Sequence, residues 1–360
     1  MLATSPEREP TEGNLVEVLL PGTELFLRLQ EDIMAAEERI HANYYIFGAD
    51  DIGNTIRTAL MLKALDSLDV RFIGDNLGSK AGYTRHMESC GVQVKQRRFF
   101  PLRPRNHQKF LLLDFAVGYT GGVNISYDSF YDWIDCMVRF RGPIVAKLEQ
   151  LYARMWEEFG GETPDYSIPV PEPYEGGVIV QAVGDLPKEK ARWNLKAHVW
   201  AVKNAKTYFW AKTPYIKPPQ ELFDALIDAA RRGVDVRLMT PWVKDHATKL
   251  ESPFERVLYE DLVRAGVHLY IRPEKYDHSK IFVTDDYLSS TGTINLDVLS
   301  FCSNYEDQLY FYDEGIALQF KSLIEDDFDD CYELTLEHIK DFPLWMKFFP
   351  RTLRRLGKLF

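Results

Sequence analysis

Between residues 106 and 124 the chain reads NHQKFLLLDFAVGYTGGVN, and between 277 and 295 it reads DHSKIFVTDDYLSSTGTIN. Most residues differ, but the polar skeleton is shared. His107, Lys109, Asp114, Gly121 and Asn124 match His278, Lys280, Asp285, Gly292 and Asn295, every pair 171 positions apart, and Asp135 and Glu306 add a carboxylate pair at the same spacing. A given residue type recurs by chance about once in twenty positions, so six matches at one offset mark an internal duplication. Two imidazoles, two ammonium groups and two amides converging on one point suit a phosphate diester. The lysines and asparagines neutralise and bind its equatorial oxygens, so that charge needs no metal. One imidazole can attack phosphorus while the other protonates the departing alkoxide. Each histidine then needs a carboxylate on its second nitrogen, and Asp135 and Glu306 are the candidates.

Strand parity places His107 and Lys109 on one face and Asp114, an odd number of positions further on, on the other; His278, Lys280 and Asp285 obey the same rule. The aspartates are counted with the motif but are expected to brace their own halves. Gly121, Gly122 and Gly292 are expected to allow a tight turn that returns Asn124 and Asn295 to the site.

These residues need elements to hold them. Helical spacing in EDIMAAEERI and NTIRTALMLKALDSL alternates with strand-like HANYYIF and VRFIGD. The second half repeats the order with WNLKAHVWAVKNA, KTYFWAKTPYI, ELFDALIDAARRG and VDVRLMTP. This alternation predicts an α/β fold in each half, a mostly parallel or mixed sheet flanked by helices. The boundaries read as a disordered leader at 1–13, a first domain at 14–160, a Pro/Gly-rich linker at 161–177, a second domain at 178–336 and a tail at 337–360. Tyr44, Tyr45, Phe47, Tyr208, Phe209 and Trp210 are expected in the core.

With 360 residues, 46% apolar and 27% charged, the chain is long enough for two such domains, and no run approaches the eighteen apolar residues of a membrane span. The polar start, MLATSPEREPTEGN, lacks a signal core, which predicts a cytoplasmic protein. Four cysteines without zinc spacing read as reduced thiols. No cofactor is expected. A net charge of −11 argues against a nucleic-acid partner. Only the end is basic: HIKDFPLWMKFFPRTLRRLGKLF holds six Lys/Arg against one Asp, and Leu353, Leu356 and Phe360 form a stripe beside Arg351, Arg354, Arg355 and Lys358. Such an end suits an anionic membrane surface. Arg103 or Arg105, ahead of His107, suits a headgroup phosphate or a solvated turn. His41, His86, His198, His246, His268 and His338 lack repeated partners and receive no role.

The double His-x-Lys-x4-Asp pattern, each copy followed by Gly-Gly-x-Asn or Gly-Thr-x-Asn, resembles the phospholipase D superfamily. Segments such as YYIFGADDIG, GDNLGS, WIDCMVRFRGPIV and NLDVLSFCSNYEDQLYFYD, in order from about Asn14 to about residue 335, are similar to bacterial cardiolipin synthases. The resemblance implies two phospholipase D-like domains related by a pseudo-two-fold axis. It also implies a phosphatidyltransferase that passes through a phosphatidyl-histidine, taking phosphatidylglycerol as substrate at the inner face of the cell membrane. By position His107 would be the nucleophile and His278 the acid and then base, an assignment the near-symmetry leaves reversible. Each carboxylate would serve the opposite half, Asp135 with His278 and Glu306 with His107. A hydrolytic phospholipase D, a phosphodiesterase nuclease and an inactive lipid-binding scaffold share the motif. Departures are slight: the family's membrane helices are absent from the sequence, the glycine of ARRGVDVRL has no counterpart in ALMLKALDSLDVRF, and threonine replaces the common serine after Gly292. The second substrate and the oligomeric state stay open.

Overall fold

The strand-like runs before each motif are buried on both faces because helices of their own half pack on both sides: His41 lies against Tyr152 and Glu149, and Trp210 against Lys321 and Phe328, opposite the helices that cover the other face. The computed structural model describes residues 8–79, 81–97, 104–162, 167–242 and 252–340. The first half contains β1 (Thr11–Leu19), α1 (Thr23–Ala35), β2 (Arg39–Tyr44), α2 (Asp51–Leu65), β3 (Asp69–Asp75), α3 (Ala81–Ser89), β4 (Gln93–Arg97), β5 (Lys109–Leu113), β6 (Val117–Gly121), β7 (Met137–Arg141) and α4 (Ile144–Glu158). The second contains β8 (Val178–Asp185), α5 (Trp193–Asn204), β9 (Tyr208–Lys212), β10 (Ile216–Lys217), α6 (Gln220–Arg231), β11 (Asp235–Pro241), α7 (Ser252–Arg264), β12 (His268–Arg272), β13 (Ile281–Thr284), β14 (Leu288–Gly292), β15 (Leu296–Asp297), α8 (Val298–Cys302), β16 (Glu306–Tyr312), α9 (Glu314–Glu325), β17 (Tyr332–Glu333) and α10 (Leu336–Lys340).

Fifteen strands form one sheet in the order β17-β12-β11-β9-β13-β14-β16-β8-β1-β7-β6-β5-β2-β3-β4. The order reads alike from both ends toward the antiparallel β1–β8 pair, which is the duplication expressed as topology. Within this sheet pairing is parallel in β2–β3–β4 and β9–β11–β12, where helices carry the chain back, and antiparallel between its other neighbours; β10 and β15 form a separate parallel pair. The sheet is therefore mixed rather than mostly parallel, because the motif strands β5–β6 and β13–β14 are hairpins. One buried core joins both halves, with Phe110, Val138 and Phe140 from one and Ile281, Leu309 and Phe311 from the other.

From Arg8 onward, the leader expected over residues 1–13 is built into the fold. Arg8 is buried and pairs with Glu189, and β1, starting at Thr11, lies between β7 and β8. The apolar alternation of NLVEVLL supplies a central strand. The buried Asn14 fastens this joint: its Nδ2 donates to the carbonyls of Thr11 and Val178 at 2.8 and 3.0 Å, and its Oδ1 accepts from Ile144 N–H at 2.8 Å. Part of the 161–177 segment is also pinned, since Tyr174 N–H donates to the Gly13 carbonyl at 2.9 Å. Residues 1–7, Arg103, His246 and the tail beyond residue 340 lie outside the described residues. No described helix is long and apolar enough to cross a membrane.

Candidate active site

Backbone pairing between the halves builds the site. His107 N–H donates to the Tyr305 carbonyl at 3.0 Å while Tyr305 N–H donates to the Arg105 carbonyl at 2.8 Å. The related bridge runs from His278 N–H to the Ile134 carbonyl at 2.7 Å and from Ile134 N–H to the Tyr276 carbonyl at 3.0 Å. Tyr305 precedes Glu306 and Ile134 precedes Asp135, so each bridge delivers one half's carboxylate to the other half's histidine. The His107 Nδ1 lies 2.9 Å from Glu306 Oε2, and the His278 Nδ1 lies 2.8 Å from Asp135 Oδ2. The imidazoles keep 12% and 9% of their surface open, whereas both carboxylates are sealed. With Nδ1 occupied, Nε2 of each ring is the nitrogen left for chemistry.

Both lysines are buried beneath the histidines. Lys109 Nζ donates to the His107 carbonyl at 2.7 Å, and Lys280 Nζ donates to that of His278. Burial pushes Lys109 down to about 8 and Lys280 to about 7, although nearby carboxylates pull the other way. It pushes Asp135 and Glu306 up to about 7 against the pull of the lysines. His107 is driven well below its usual value by burial, then by Lys109 and Lys280. The Glu306 contact opposes that shift, but burial and two ammonium neighbours outweigh it. That direction favours the neutral His107 ring, a form in which Nδ1–H can face Glu306 while Nε2 keeps a lone pair. These opposed shifts share one cause: burial penalises the charged form of each group, ammonium and carboxylate alike.

The two asparagines are buried at the same level. Asn124 Oδ1 accepts from Ile46 N–H at 3.2 Å, which leaves its amide N–H groups as donors. Asn295 Oδ1 is buried without a hydrogen-bond partner among the described residues.

Gly121, Gly122 and Gly292 serve close approach more than turning. A Cβ on Gly121 would meet the Cys136 carbonyl oxygen at 2.3 Å, on Gly122 Asp135 Oδ1 at 2.0 Å, and on Gly292 the Asp307 carbonyl oxygen at 2.4 Å. The missing side chains let the carboxylate-bearing strands β7 and β16 lie against the motif hairpins.

Asp114 and Asp285 do not reach the site, so their place in the catalytic set is corrected. Each opens a two-residue hairpin turn whose central residues have φ between 51 and 54°, a backbone conformation that aspartate tolerates. Asp114 accepts from the N–H groups of Glu37, Glu38 and Arg39 at 2.8 Å each, and Asp285 from those of Lys206, Thr207 and Tyr208 at 2.8 to 3.2 Å. Arg39 begins β2 and Tyr45, beyond its other end, adjoins His107, a separation of roughly 20 Å at strand rise. Asp114→Ala is therefore expected to lower stability by about 1–3 kcal/mol through lost carboxylate acceptors. Thermal unfolding and kcat/KM of the folded variant check this; a large loss of kcat without loss of stability contradicts it.

Several site residues carry no repeated signal. Tyr45, expected in the core, instead sets its ring edge-on to His107 at 5.2 Å. Asn304 Nδ2 donates to Glu306 Oε1 at 3.3 Å and its Oδ1 accepts from Arg105 N–H at 3.1 Å. Asp307 accepts from Thr120 Oγ1 at 2.6 Å across the halves and is pushed up to about 7 by burial. Trp133 and Tyr276 pack on the His278 ring with centroids at 5.1 and 5.8 Å. Comparison at the 171-residue offset would have flagged them as differences.

The family model described as "Cardiolipin synthase, PLD-like domain" matches residues 29–156 and 199–329, once in each half. The chain is 32% identical to the major cardiolipin synthase of Bacillus subtilis, over 97% of this chain and 76% of that protein. It is 30% identical to cardiolipin synthase 1 of Staphylococcus epidermidis, over 97% and 74% respectively. In fold it is similar to the crystal structure of phosphatidylserine synthase from Haemophilus influenzae, with a TM-score of 0.69 at 13% identity, covering 98% of this chain and 94% of that one. The duplicated architecture, the two crossed histidine–carboxylate pairs and these similarities agree: the chain belongs to the cardiolipin synthase family of PLD-like proteins.

Proposed function

We propose that the protein is a phosphatidyltransferase that makes cardiolipin and glycerol from two molecules of phosphatidylglycerol. The observation that carries this reading is the crossed pairing of His107 with Glu306 and His278 with Asp135 above two buried lysines. Lys109, Lys280, Asn124 and Asn295 hold the equatorial phosphate oxygens. His107 Nε2, its Nδ1–H held by Glu306, attacks phosphorus. His278, braced by Asp135, gives its proton to the departing glycerol oxygen. A hydroxyl of the second phosphatidylglycerol then returns a proton to His278 as its oxygen displaces His107 from phosphorus. The basic amphipathic tail supports peripheral binding to anionic lipid at the inner membrane face.

The test is purified protein with phosphatidylglycerol vesicles in EDTA, followed by mass spectrometry. Cardiolipin with matching glycerol is expected, and EDTA is expected to leave the rate unchanged because the lysines carry the charge. Phosphatidic acid as the main product would make this a hydrolase.

A further inference from the structure

The pseudo-two-fold axis relates the histidines, lysines and carboxylates but not what surrounds each imidazole. Asn304 stands at the position that Trp133 occupies in the other half, and Arg105 at the position of Tyr276. Around His107 a single ring, Tyr45, lies edge-on at 5.2 Å and the rest of the collar is polar: Asn304 ties Glu306 to the Arg105 backbone, and the Arg105 guanidinium reaches Asp75 Oδ1 at 3.4 Å. Around His278 it is aromatic. Trp133 and Tyr276 pack on the imidazole and on each other, their centroids 5.3 Å apart, and the Tyr276 hydroxyl meets that of Tyr215 at 3.2 Å. Trp133 and Tyr215 are half-buried, with Tyr276 buried beside them.

The difference matches a difference in chemical task. In an in-line displacement the alcohol leaves, and its replacement enters, on the face opposite the nucleophile. Both alcohols therefore pass His278, and both must place an oxygen within hydrogen-bond reach of its Nε2. Ring faces cover the C–H surface of a glyceryl group, and a phenol can bind a further hydroxyl. Water gains neither contact, and it gives up hydrogen bonds when held against a ring. His107 has one ring beside it where His278 has two, with polar groups at the positions of Trp133 and Tyr276.

We propose that Trp133 and Tyr276 form the seat of the acceptor alcohol and decide between lipid alcohol and water. This rests on the transferase reading above, with His107 as nucleophile. In the second step the His107 Nε2–P bond breaks, the acceptor O–P bond forms, and the acceptor proton passes to His278 Nε2. With water as acceptor the same balance gives phosphatidic acid instead of cardiolipin.

The experiment uses the full chain with phosphatidylglycerol vesicles and reads the ratio of phosphatidic acid to cardiolipin for wild type, Trp133→Ala and Tyr276→Phe. Melting temperatures are measured in parallel, and the ratio is read in each variant that keeps the wild-type value. Removing the indole is expected to raise the ratio about tenfold, and removing the hydroxyl about two- to threefold. An unchanged ratio in the folded variants overturns the proposal, as does an equal loss of both products. Wild-type protein that makes no cardiolipin overturns the transferase reading itself, which separates the two failures.

Discussion

His107→Ala is expected to lower cardiolipin formation by roughly 10⁴-fold or more, because in the proposed mechanism it removes the atom that bonds to phosphorus. His278→Ala should match that loss on phosphatidylglycerol, whose glyceryl oxygen leaves poorly without a proton. The two variants separate on a phosphatidyl ester of p-nitrophenol, a leaving group that needs no protonation. His278→Ala should release a burst of p-nitrophenol equal to the enzyme present and then stall, with the phosphatidyl group trapped on His107. His107→Ala should show no burst. A burst from His107→Ala and none from His278→Ala would exchange the two roles, and substantial cardiolipin formation by either variant would sink the mechanism.

The second large effect concerns the carboxylates that cross between the halves. In the proposed mechanism, attack through Nε2 leaves the phosphorylated His107 ring positively charged, and Glu306 at 2.9 Å is placed to stabilise that charge. Glu306→Gln can still accept the Nδ1–H but carries no charge, so kcat is expected to fall about 10²–10³-fold with the fold retained. Asp135 acts on the other ring, where it stabilises the protonated, acid form of His278. Asp135→Asn is expected to lower kcat and also to move the alkaline limb of its pH profile to lower pH, because without its carboxylate His278 loses its proton more readily. Glu306→Gln should leave that limb in place. Identical pH profiles for the two variants would contradict the division of labour.

The polar skeleton is legible in the sequence because duplication preserves spacing, and all but the Asp114/Asp285 pair of the six offset pairs identify residues at or against the site. Strand parity also separates Asp114 and Asp285 from the histidines, although the motif alone counts them together. Tyr45 is not legible: an aromatic among Tyr44, Ile46 and Phe47 looks like core, and only the end of β2 at Tyr44 turns it toward His107. The glycines are read too simply as turn formers, since their need comes from the close approach of the next strand, at Asp135, Cys136 and Asp307, which a turn pattern does not show. The polar start conceals a central strand because the partners that make Thr11–Leu19 one, β7 and β8, lie more than a hundred residues downstream. Long-range pairing, not local pattern, decides each of these cases.

The crossed pairs also set an order of events in the life of the chain. His107 meets its carboxylate 199 residues later and His278 meets one 143 residues earlier, among the longest-range side-chain contacts in the protein. Such contacts form late in folding, since the loops between them must close first. As synthesis runs from the N-terminus, a first half that has already folded holds His107 without Glu306 and Lys109 without an opposing lysine. A chain that stops after its first half therefore carries an incomplete site, and the full set of imidazoles, ammonium groups and carboxylates is assembled in one step, when the second half closes on the first.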